Sequence, residues 1–315
     1  MIGQDCAYSI PLPAGKGLWL FGDTFLGFID PYGRRIVESM PCNTALISEP
    51  GLAKYHYLTG ENGMPRQVIP SLPEEAPDRY RIWPLHGFYV DRRVYVYYVR
   101  VVLLPDKCWP YKFNLDGTGL AVADYPGLSF RRLAWRGSTI WWGADEPCYG
   151  AAVLFLPEEQ MVYVYGTSLQ RGSHSCSLAR VPLTRIEDPE GYEYLEGIGK
   201  WNPDRNRAIP IMDGMPTEMS VSYNGYVGAF LAVHSWETTG ALVARTAPHP
   251  WGPWSRPQVL WNARIPLRNP LVYNGPLVYA GKEHPEMARN GGKTIFATFV
   301  EFEEYFPRLV EVTFA

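Results

Sequence analysis

Three carboxylates stand where the sequence switches between polar turn residues and strongly apolar runs. Asp5 precedes one such run, Asp23 follows the run at positions 18–21, and Glu218 closes the segment Pro-Thr-Glu before another. Asp23, which follows an all-apolar run and is flanked by Gly and Thr, is poor strand chemistry, and a local inconsistency of this kind is typical of a functional site. Asp5 and Glu218 are candidates because they stand at the entrances of predicted strands. Two carboxyl groups can hydrolyse a glycosidic bond: one protonates the leaving oxygen while the other activates water or attacks the anomeric carbon. We therefore predict that Asp5, Asp23 and Glu218 are catalytic.

Each of these residues also has a structural interpretation. Asp5 and Asp23 can cap turns, a common use of Asp, and Glu218 can be a salt-bridge partner. The sequence leaves open which carboxylate plays which role. It also leaves open the stereochemistry, which depends on whether the two working carboxyl groups lie about 5–5.5 Å apart (retention) or about 6.5–9.5 Å apart (inversion).

Further side chains near the predicted strand starts could contact a sugar, because aromatic rings suit the apolar faces of sugars and polar groups suit their hydroxyls. The candidate substrate-binding residues are His86, Glu146, Tyr149, His234, His284 and Glu286. A lone histidine near aromatic strands is more often a hydrogen-bonded structural residue, and the two glutamates have structural alternatives as well. Nothing in the spacing demands a metal site, so we predict no metal and no cofactor.

The elements that must position these residues are β-strands. Runs such as the one at positions 94–99 are β-branched and aromatic and are bounded by turn residues, as expected of a packed sheet. Pro157, Pro189 and Gly191 leave no room for a long amphipathic helix in the most charged segments. The sequence therefore predicts an all-β fold.

The strands recur as five copies of one pattern. Apolar strands begin near Gly17, Val94, Met161, Val227 and Thr294, about 66 to 77 residues apart. Shorter strands precede them at 7–12, 88–91, 151–155, 219–223 and, more weakly, 286–289. Others follow from Asn43, Gly119, Ser177, Gly240 and Arg308, and outer strands are predicted at 130–135, 192–195 and 256–261.

Five repeats of three to four antiparallel strands favour a five-bladed β-propeller. A β-sandwich is the competing interpretation, but it does not explain a period shared by three kinds of strand. We predict a single domain over 1–315, with blades at about 1–75, 80–140, 145–200, 215–262 and 265–315. In a propeller the first strand of each blade lines the central channel, so the candidate residues converge on one funnel.

Composition and charge exclude several classes of function. A formal net charge of -3 without clustered Lys and Arg disfavours nucleic acid as a partner. No apolar run approaches the roughly 20 residues needed to span a bilayer, and no signal peptide is visible. We thus expect no membrane partner and a cytoplasmic location, or a secreted one if a leader was removed. The five widely spaced cysteines are expected to be reduced and mostly buried.

Several segments resemble a known family of five-bladed propellers. They are GQDCAYSIPLP, LWLFGDTF, YGAAVLFLPEEQMVYVYGT, LARVPL, TEMSVSYNGYVGAFLAVHS, GPWSRPQVLW and HPEM, spread from about residue 3 to the end of the chain. Together they are similar to the family catalogued as domain of unknown function 4185 (DUF4185), which includes endo-D-arabinanases. The resemblance implies hydrolysis of furanoside linkages by funnel carboxylates, with Asp5, Asp23 and Glu218 at the matching positions.

The leading hypothesis is a glycoside hydrolase that acts on an oligo- or polysaccharide containing arabinofuranose or a related sugar. In it Asp5 or Asp23 is the base or nucleophile, and Glu218 is the proton donor. Two alternatives remain: a non-catalytic carbohydrate-binding propeller, and a glycoside phosphorylase. A phosphorylase needs a cationic pocket, for which Arg81, Arg100, Arg180 and Arg245 are available. The sequence does not indicate the oligomeric state.

Overall fold

The computed structural model describes residues 1–107, 112–170, 173–263 and 277–315. Five antiparallel sheets follow one another along the chain, and together they form a five-bladed β-propeller. The predicted fold class is confirmed. The predicted blade limits and the single-domain organisation stay predictions, because strand pairing defines sheets and not domain boundaries.

The first two sheets contain nine strands, and a separate two-stranded hairpin interrupts the sequence of the first sheet. The first sheet has the order β1-β2-β5-β6, with β1 Cys6–Pro11, β2 Gly17–Phe21, β5 Thr44–Ser48 and β6 Tyr55–Tyr57. The hairpin is formed by β3 Leu26–Ile29 and β4 Arg35–Ser39. The second sheet consists of β7 Tyr80–Val90, β8 Arg93–Leu103, β9 Phe113–Asp124, β10 Arg131–Arg132 and β11 Trp142–Gly143.

The other three sheets complete the ring. The third consists of β12 Cys148–Leu156, β13 Met161–Gln170, β14 Ser173–Pro182, β15 Glu193–Gly197, β16 Lys200–Asn202 and β17 Pro210–Asp213. The fourth consists of β18 Met219–Asn224, β19 Ala229–Ser235, β20 Ala241–Ala247 and β21 Gln258–Asn262. The fifth consists of β22 Val278–Glu283, β23 Thr294–Glu301 and β24 Pro307–Thr313.

Helical structure in the described residues is limited to single 3-10 turns. These turns are Pro13–Gly15, Pro50–Leu52, Leu183–Arg185, Pro189–Gly191, Arg205–Arg207, Pro285–Met287 and Asn290–Gly292. Within the described ranges, no helix is long and apolar enough to cross a membrane.

The first strands of the five sheets line the centre of the molecule. They contact one another in the closed order β1, β7, β12, β18, β22 and back to β1. Buried tyrosines join neighbouring blades further out: the Tyr97 and Tyr192 hydroxyls lie 2.8 Å apart, and Tyr165 donates to the carbonyl of Pro250 at 2.7 Å. Much of the aromatic content is therefore packing between blades, with hydroxyl groups that find partners there.

The fifth blade corrects one prediction. Its first strand is Val278–Glu283, whereas the sequence favoured residues 286–289, which lie at and after the 3-10 turn Pro285–Met287. The true strand was missed because Gly281 and Lys282 interrupt its apolar pattern, although Lys282 is only 1% exposed. The predicted outer strand at 130–135 is also shorter than expected, since only Arg131–Arg132 pairs with β9. The first blade has an unpredicted outer strand, β6.

The cysteine prediction holds for the residues that are described. Cys6, Cys42, Cys148 and Cys176 are free and buried. Cys108 lies outside the described residues.

Candidate active site

Asp5 precedes a strained bulge at the start of β1. Cys6 pairs with Phe21 and Tyr8 with Leu20, so β1 uses two steps where β2 uses one. The extra residue is accommodated by left-handed backbone at Cys6 (φ 72°) and Ala7 (φ 63°). Such backbone costs an L-residue about 1–3 kcal/mol and is concentrated at functional sites. The bulge redirects the entrance of the strand that carries Asp5.

The Asp5 carboxyl group lies against the turn that carries Asp23. A Cβ atom on Gly22 would come within 2.3 Å of Asp5 Oδ1, so this close approach requires glycine. On the other side, the Tyr279 hydroxyl of β22 donates to Asp5 Oδ2 at 2.9 Å. Asp5 is thus held between the first and fifth blades.

Asp23 projects from a turn that is tied down by its neighbour. The Thr24 hydroxyl is 2.8 Å from that of Thr44 and 3.0 Å from the Gly22 carbonyl oxygen. The Asp23 Oδ1 atom lies 3.6 Å from Arg81 Nε, which is too long for a hydrogen bond. Among the described residues these two buried atoms have no hydrogen-bond partner, and neither has the nearby indole nitrogen of Trp83.

Glu218 enters the same region from the fourth blade. It stands immediately before β18 and is buried, with 7% of its surface exposed. The ammonium group of Lys282 on β22 lies 3.6 Å from Glu218 Oε1. The hydroxyl of Thr217 contacts the other carboxylate oxygen at 3.5 Å.

The electrostatics show that the three carboxylates form one cluster. Burial raises the pKa of Asp5 to about 8, and the nearby charges of Glu218 and Asp23 add to the rise, while hydrogen bonds with Tyr279 and Tyr305 oppose it. Burial raises the pKa of Asp23 to about 6, against the lowering influence of Arg81 and Trp83. The charges of both other carboxylates thus act on Asp5.

His86 and His284 lie in the interior, with their ring nitrogens engaged by the protein. His86 Nδ1 accepts from the Val153 backbone N–H at 3.0 Å, and its Nε2 lies 3.3 Å from the Ser9 carbonyl oxygen. His284 Nδ1 and Nε2 lie 2.7 Å from the Ser9 hydroxyl and 2.8 Å from the Thr298 hydroxyl. Burial lowers the pKa of His86 to about 4 and holds that of His284 well below its usual value. Their role in substrate binding stays a prediction, with no ring nitrogen left free.

Two more of the predicted substrate-binding residues are almost completely buried. His234 is 0% exposed, and its Nδ1 donates to the Ser235 carbonyl at 2.8 Å, while Nε2 has no partner among the described residues. Tyr149 is 1% exposed, and its ring packs 5.2 Å from Trp142. Both side chains belong to the interior between strands.

The two predicted substrate-binding glutamates differ in their surroundings. Glu146 accepts from the Gly143 backbone N–H at 2.7 Å and pairs with Arg205 at 3.0 Å, which stabilises a loop before β12. Glu286 is exposed on the 3-10 turn after β22. The structure places neither carboxylate in contact with Asp5, Asp23 or Glu218, and their roles stay predictions.

Several residues of the cluster were not predicted as site residues. These residues are Arg81, Trp83, Tyr279, Lys282 and Tyr305. Arg81 and Trp83 belong to β7, which was predicted to begin only at Phe88, while Tyr279 and Lys282 belong to the fifth-blade strand that was misplaced. The signal that could have revealed Lys282 is a charged residue inside a segment that must fill the position of a central strand.

The described part of the chain contains no group of three or more His, Cys, Asp or Glu side chains arranged to hold a metal ion. The chemistry of the cluster is that of closely spaced carboxyl groups in a poorly solvated site. Such groups hold and release protons near neutral pH.

Comparison with solved structures finds propellers of the same fold. A protein from Bacteroides ovatus named a "putative hydrolase" has a TM-score of 0.68 at 17% identity, covering 98% of this chain and 85% of that one. The GH43_1 enzyme from Xanthomonas citri, complexed with xylotriose, has a TM-score of 0.56 at 14% identity, covering 100% of this chain and 88% of that one. The GH32 beta-fructofuranosidase from Bombyx mori has a TM-score of 0.55 at 12% identity, covering 98% and 60%.

At these identities the structural likeness shows the fold alone. No curated protein matches the sequence. A family model does match, over residues 3–310, and its description is "Domain of unknown function (DUF4185)". Since this match covers nearly the whole chain, the protein belongs to the DUF4185 family.

Proposed function

We propose that this protein is a glycoside hydrolase acting on a furanoside-containing, arabinan-like glycan. The observation that carries the proposal is the convergence of three carboxylates, Asp5 and Asp23 from the first blade and Glu218 from the edge of the fourth. Hydrolysis of a glycosidic bond needs one carboxyl group that holds a proton and another that is ionised. The environment of this cluster provides both states near neutral pH.

The three carboxylates divide the work as follows. Asp23, with a pKa raised to about 6 and Arg81 beside it, is ionised at neutral pH and serves as base or nucleophile. Asp5, whose pKa burial and the nearby charges of Glu218 and Asp23 raise to about 8, holds a proton at neutral pH. Glu218 passes this proton to the leaving oxygen.

The choice of substrate class is supported by resemblance. The structural neighbours include a GH43 enzyme with bound xylotriose and a GH32 beta-fructofuranosidase, so this propeller fold holds oligosaccharides and cleaves furanosides in other proteins. The sequence also resembles the family that includes endo-D-arabinanases. An oligo- or polysaccharide is therefore the expected partner.

The arrangement of arginines disfavours the phosphorylase alternative. Arg100 pairs with Glu75 and Asp116, Arg180 with Glu193, and Arg245 with Asp213. Of these four candidates, Arg81 alone lies beside a candidate catalytic carboxylate. A phosphate pocket would need two or three cations facing the carboxylates.

A non-catalytic sugar-binding propeller is disfavoured by the cluster itself. A binding site has no need for three carboxylates whose mutual repulsion and burial oppose ionisation. Such an arrangement destabilises the folded protein, and a role in hydrolysis would explain why it is present.

The test is a screen of purified protein against arabinans, arabinogalactans and fructans, with detection of new reducing ends, with and without phosphate. We expect release of reducing sugar from a furanoside glycan at the same rate in both conditions. Cleavage that requires phosphate would establish a phosphorylase. Binding of glycans without cleavage, measured by calorimetry on the same panel, would establish the non-catalytic alternative.

A further inference from the structure

Lys282 is a buried cation at the centre of the molecule. Its side chain is 1% exposed, and no other lysine of the described residues is buried. Removing an ammonium ion from water is unfavourable unless it is paired and hydrogen-bonded. Its surroundings should therefore show what it is paired with.

The ammonium group contacts backbone carbonyl groups and a carboxylate of the candidate site. Nζ donates to the carbonyl oxygens of Cys6 and Ala280, the latter at 2.8 Å, and lies 4.6 Å from the ring centre of Tyr8. An ammonium group has three N–H donors. Glu218 Oε1 lies 3.6 Å away, which is too long for a hydrogen bond but within ion-pair distance, so Glu218 is the anionic partner of the ammonium group.

A bulge in β22 brings Lys282 to this position. Tyr279 pairs with Val300 and Lys282 with Thr298, so three steps on β22 match two on β23. In a regular strand, residues three apart face opposite sides, but Val300 and Thr298 share a side and so do their partners. The extra residue is accommodated at Ala280, whose φ is 59°. Strand β22 thus places Tyr279 in contact with Asp5 and Lys282 beside Glu218.

We propose that Lys282 is a positioning residue that fixes the Glu218 carboxylate and balances its charge within the cluster. The activity part of this inference rests on the proposed function; the pairing part does not. Arg81 is the matching cation for Asp23, whereas Asp5 is contacted by tyrosine hydroxyls. Lys282 is therefore the positive charge that lies beside the Glu218 carboxylate in this cluster.

Other titratable groups face this part of the cluster. They are Cys6 and Tyr8 on β1, His86 on β7, Cys148 on β12, Asp23 after β2, Tyr279 on β22, His284 after β22, and Tyr305 before β24. The two histidines are hydrogen-bonded at both ring nitrogens, and burial raises the pKa values of Cys6, Tyr8, Tyr279 and Tyr305 well above their usual values. Asp5 and Asp23 are therefore the groups of the cluster whose pKa values, about 8 and about 6, lie near neutral pH.

The first test measures stability and needs no substrate. Lys282→Met removes the charge at similar length and leaves Glu218 unpaired, so its melting temperature should fall. The double variant Lys282→Met/Glu218→Gln lacks both charges, so it should recover at least half of the decrease in melting temperature caused by Lys282→Met. Lys293→Met, at a lysine that lies over the Tyr226 ring, is the matched control and should melt like the wild type.

If Lys282→Met fails to fold, the double variant still decides the question. Its recovery of a folded state would support the pairing, and failure of both variants, or equal loss in both, would overturn it.

The second test measures the pH dependence of kcat on the best glycan found. Loss of a positive charge from the cluster should favour the protonated form of Asp5, so the alkaline limb should move up by about one pH unit. At the same time kcat should fall at least tenfold, while KM should change less than threefold. Lys282→Arg should return the alkaline limb of the pH profile to its wild-type position but should restore only part of kcat. A folded Lys282→Met protein with the wild-type limb and kcat would overturn the positioning role.

Discussion

Two clusters of buried charge in this protein are built in opposite ways. In the second blade, Glu75 and Arg132 are both 1% exposed at their side chains, and both Glu75 oxygens accept hydrogen bonds, with Arg132, Arg100 and the Leu72 backbone as donors. In the predicted funnel, three carboxylates have two cations nearby, with Arg81 3.6 Å from Asp23 and Lys282 3.6 Å from Glu218. Asp23 Oδ1 has no hydrogen-bond partner among the described residues.

The pKa values of the two clusters move in opposite directions. Burial alone would raise the pKa of Glu75, but the hydrogen bonds and charge of its arginine partners hold it below the usual value. In the funnel, burial and like charges raise the pKa of Asp5 to about 8. Burial by itself therefore does not identify a catalytic carboxylate. What distinguishes the funnel is that its pairing is incomplete, which leaves protons free to be exchanged near neutral pH.

The largest expected effect is on catalysis. Glu218→Gln should lower kcat on arabinan-like glycans by about 10²–10⁴-fold, because the leaving oxygen loses its proton donor. The loss should be much smaller on a nitrophenyl furanoside, whose leaving group needs no protonation. Steady-state kinetics on the two substrates measures this contrast. Equal losses on both would remove Glu218 from the role of proton donor.

Removing the carboxylate charge from the Glu75 and Arg132 cluster should affect stability and not catalysis. Glu75→Gln leaves Arg132 buried without its counter-charge, which should lower the free energy of unfolding by about 3–5 kcal/mol. Urea denaturation measures the loss, and activity per folded molecule should stay close to wild type at low temperature. A drop in activity without a drop in stability would show that the distinction between the clusters is wrong.

The pH dependence of kcat/KM should be bell-shaped. Asp23 must be ionised, so the rate should fall about tenfold per unit below its pKa of about 6. Asp5 must hold a proton, so the rate should fall again above its pKa of about 8. A profile that is flat between pH 5 and 9 would contradict this assignment of protonation states.

A smaller effect should appear in stability as a function of pH. The pKa of Asp5 is higher in the folded state than in the unfolded chain, so its contribution to stability is fully present below about pH 3.8 and is lost as pH rises towards 8. Asp5→Asn cannot ionise, and at pH 8 it should be more stable than wild type by at least about 1 kcal/mol. At pH 4 the two proteins should unfold at nearly the same urea concentration. If the stability difference between wild type and Asp5→Asn were the same at pH 4 and pH 8, the pKa of Asp5 would not be raised in the folded protein.

Much of the fold could be predicted because each blade repeats the same local pattern. The apolar strands near Gly17, Val94 and Met161 satisfy strand propensity and core packing at once, so composition alone locates them. The first strand of the fifth blade could not be found in this way. Its Gly281 and Lys282 are stabilised by partners on other blades, among them Ser235 and Glu218, which a single segment does not reveal.

The residues of the candidate site likewise differ in whether the sequence alone reveals them. Asp5 and Glu218 are visible in the sequence because they stand at the entrances of predicted first strands, and Asp23 is visible because it ends an apolar run. The partners that set their protonation, such as Arg81, Tyr279 and Lys282, depend on contacts between residues far apart in the chain and, for the last two, on a bulge that changes the strand register. Position at a strand entrance also suggested His86 and His284, whose ring nitrogens the fold occupies with hydrogen bonds.

The most direct test of the central claim compares wild type and Asp23→Asn in the release of reducing ends from arabinan-like glycans, with near-UV circular dichroism to confirm that both are folded. Wild type should cleave, and Asp23→Asn should lose about 10³-fold or more of the activity while keeping or gaining stability. Full activity in a folded Asp23→Asn protein would contradict the proposal that the incompletely paired carboxylates of the funnel perform the reaction.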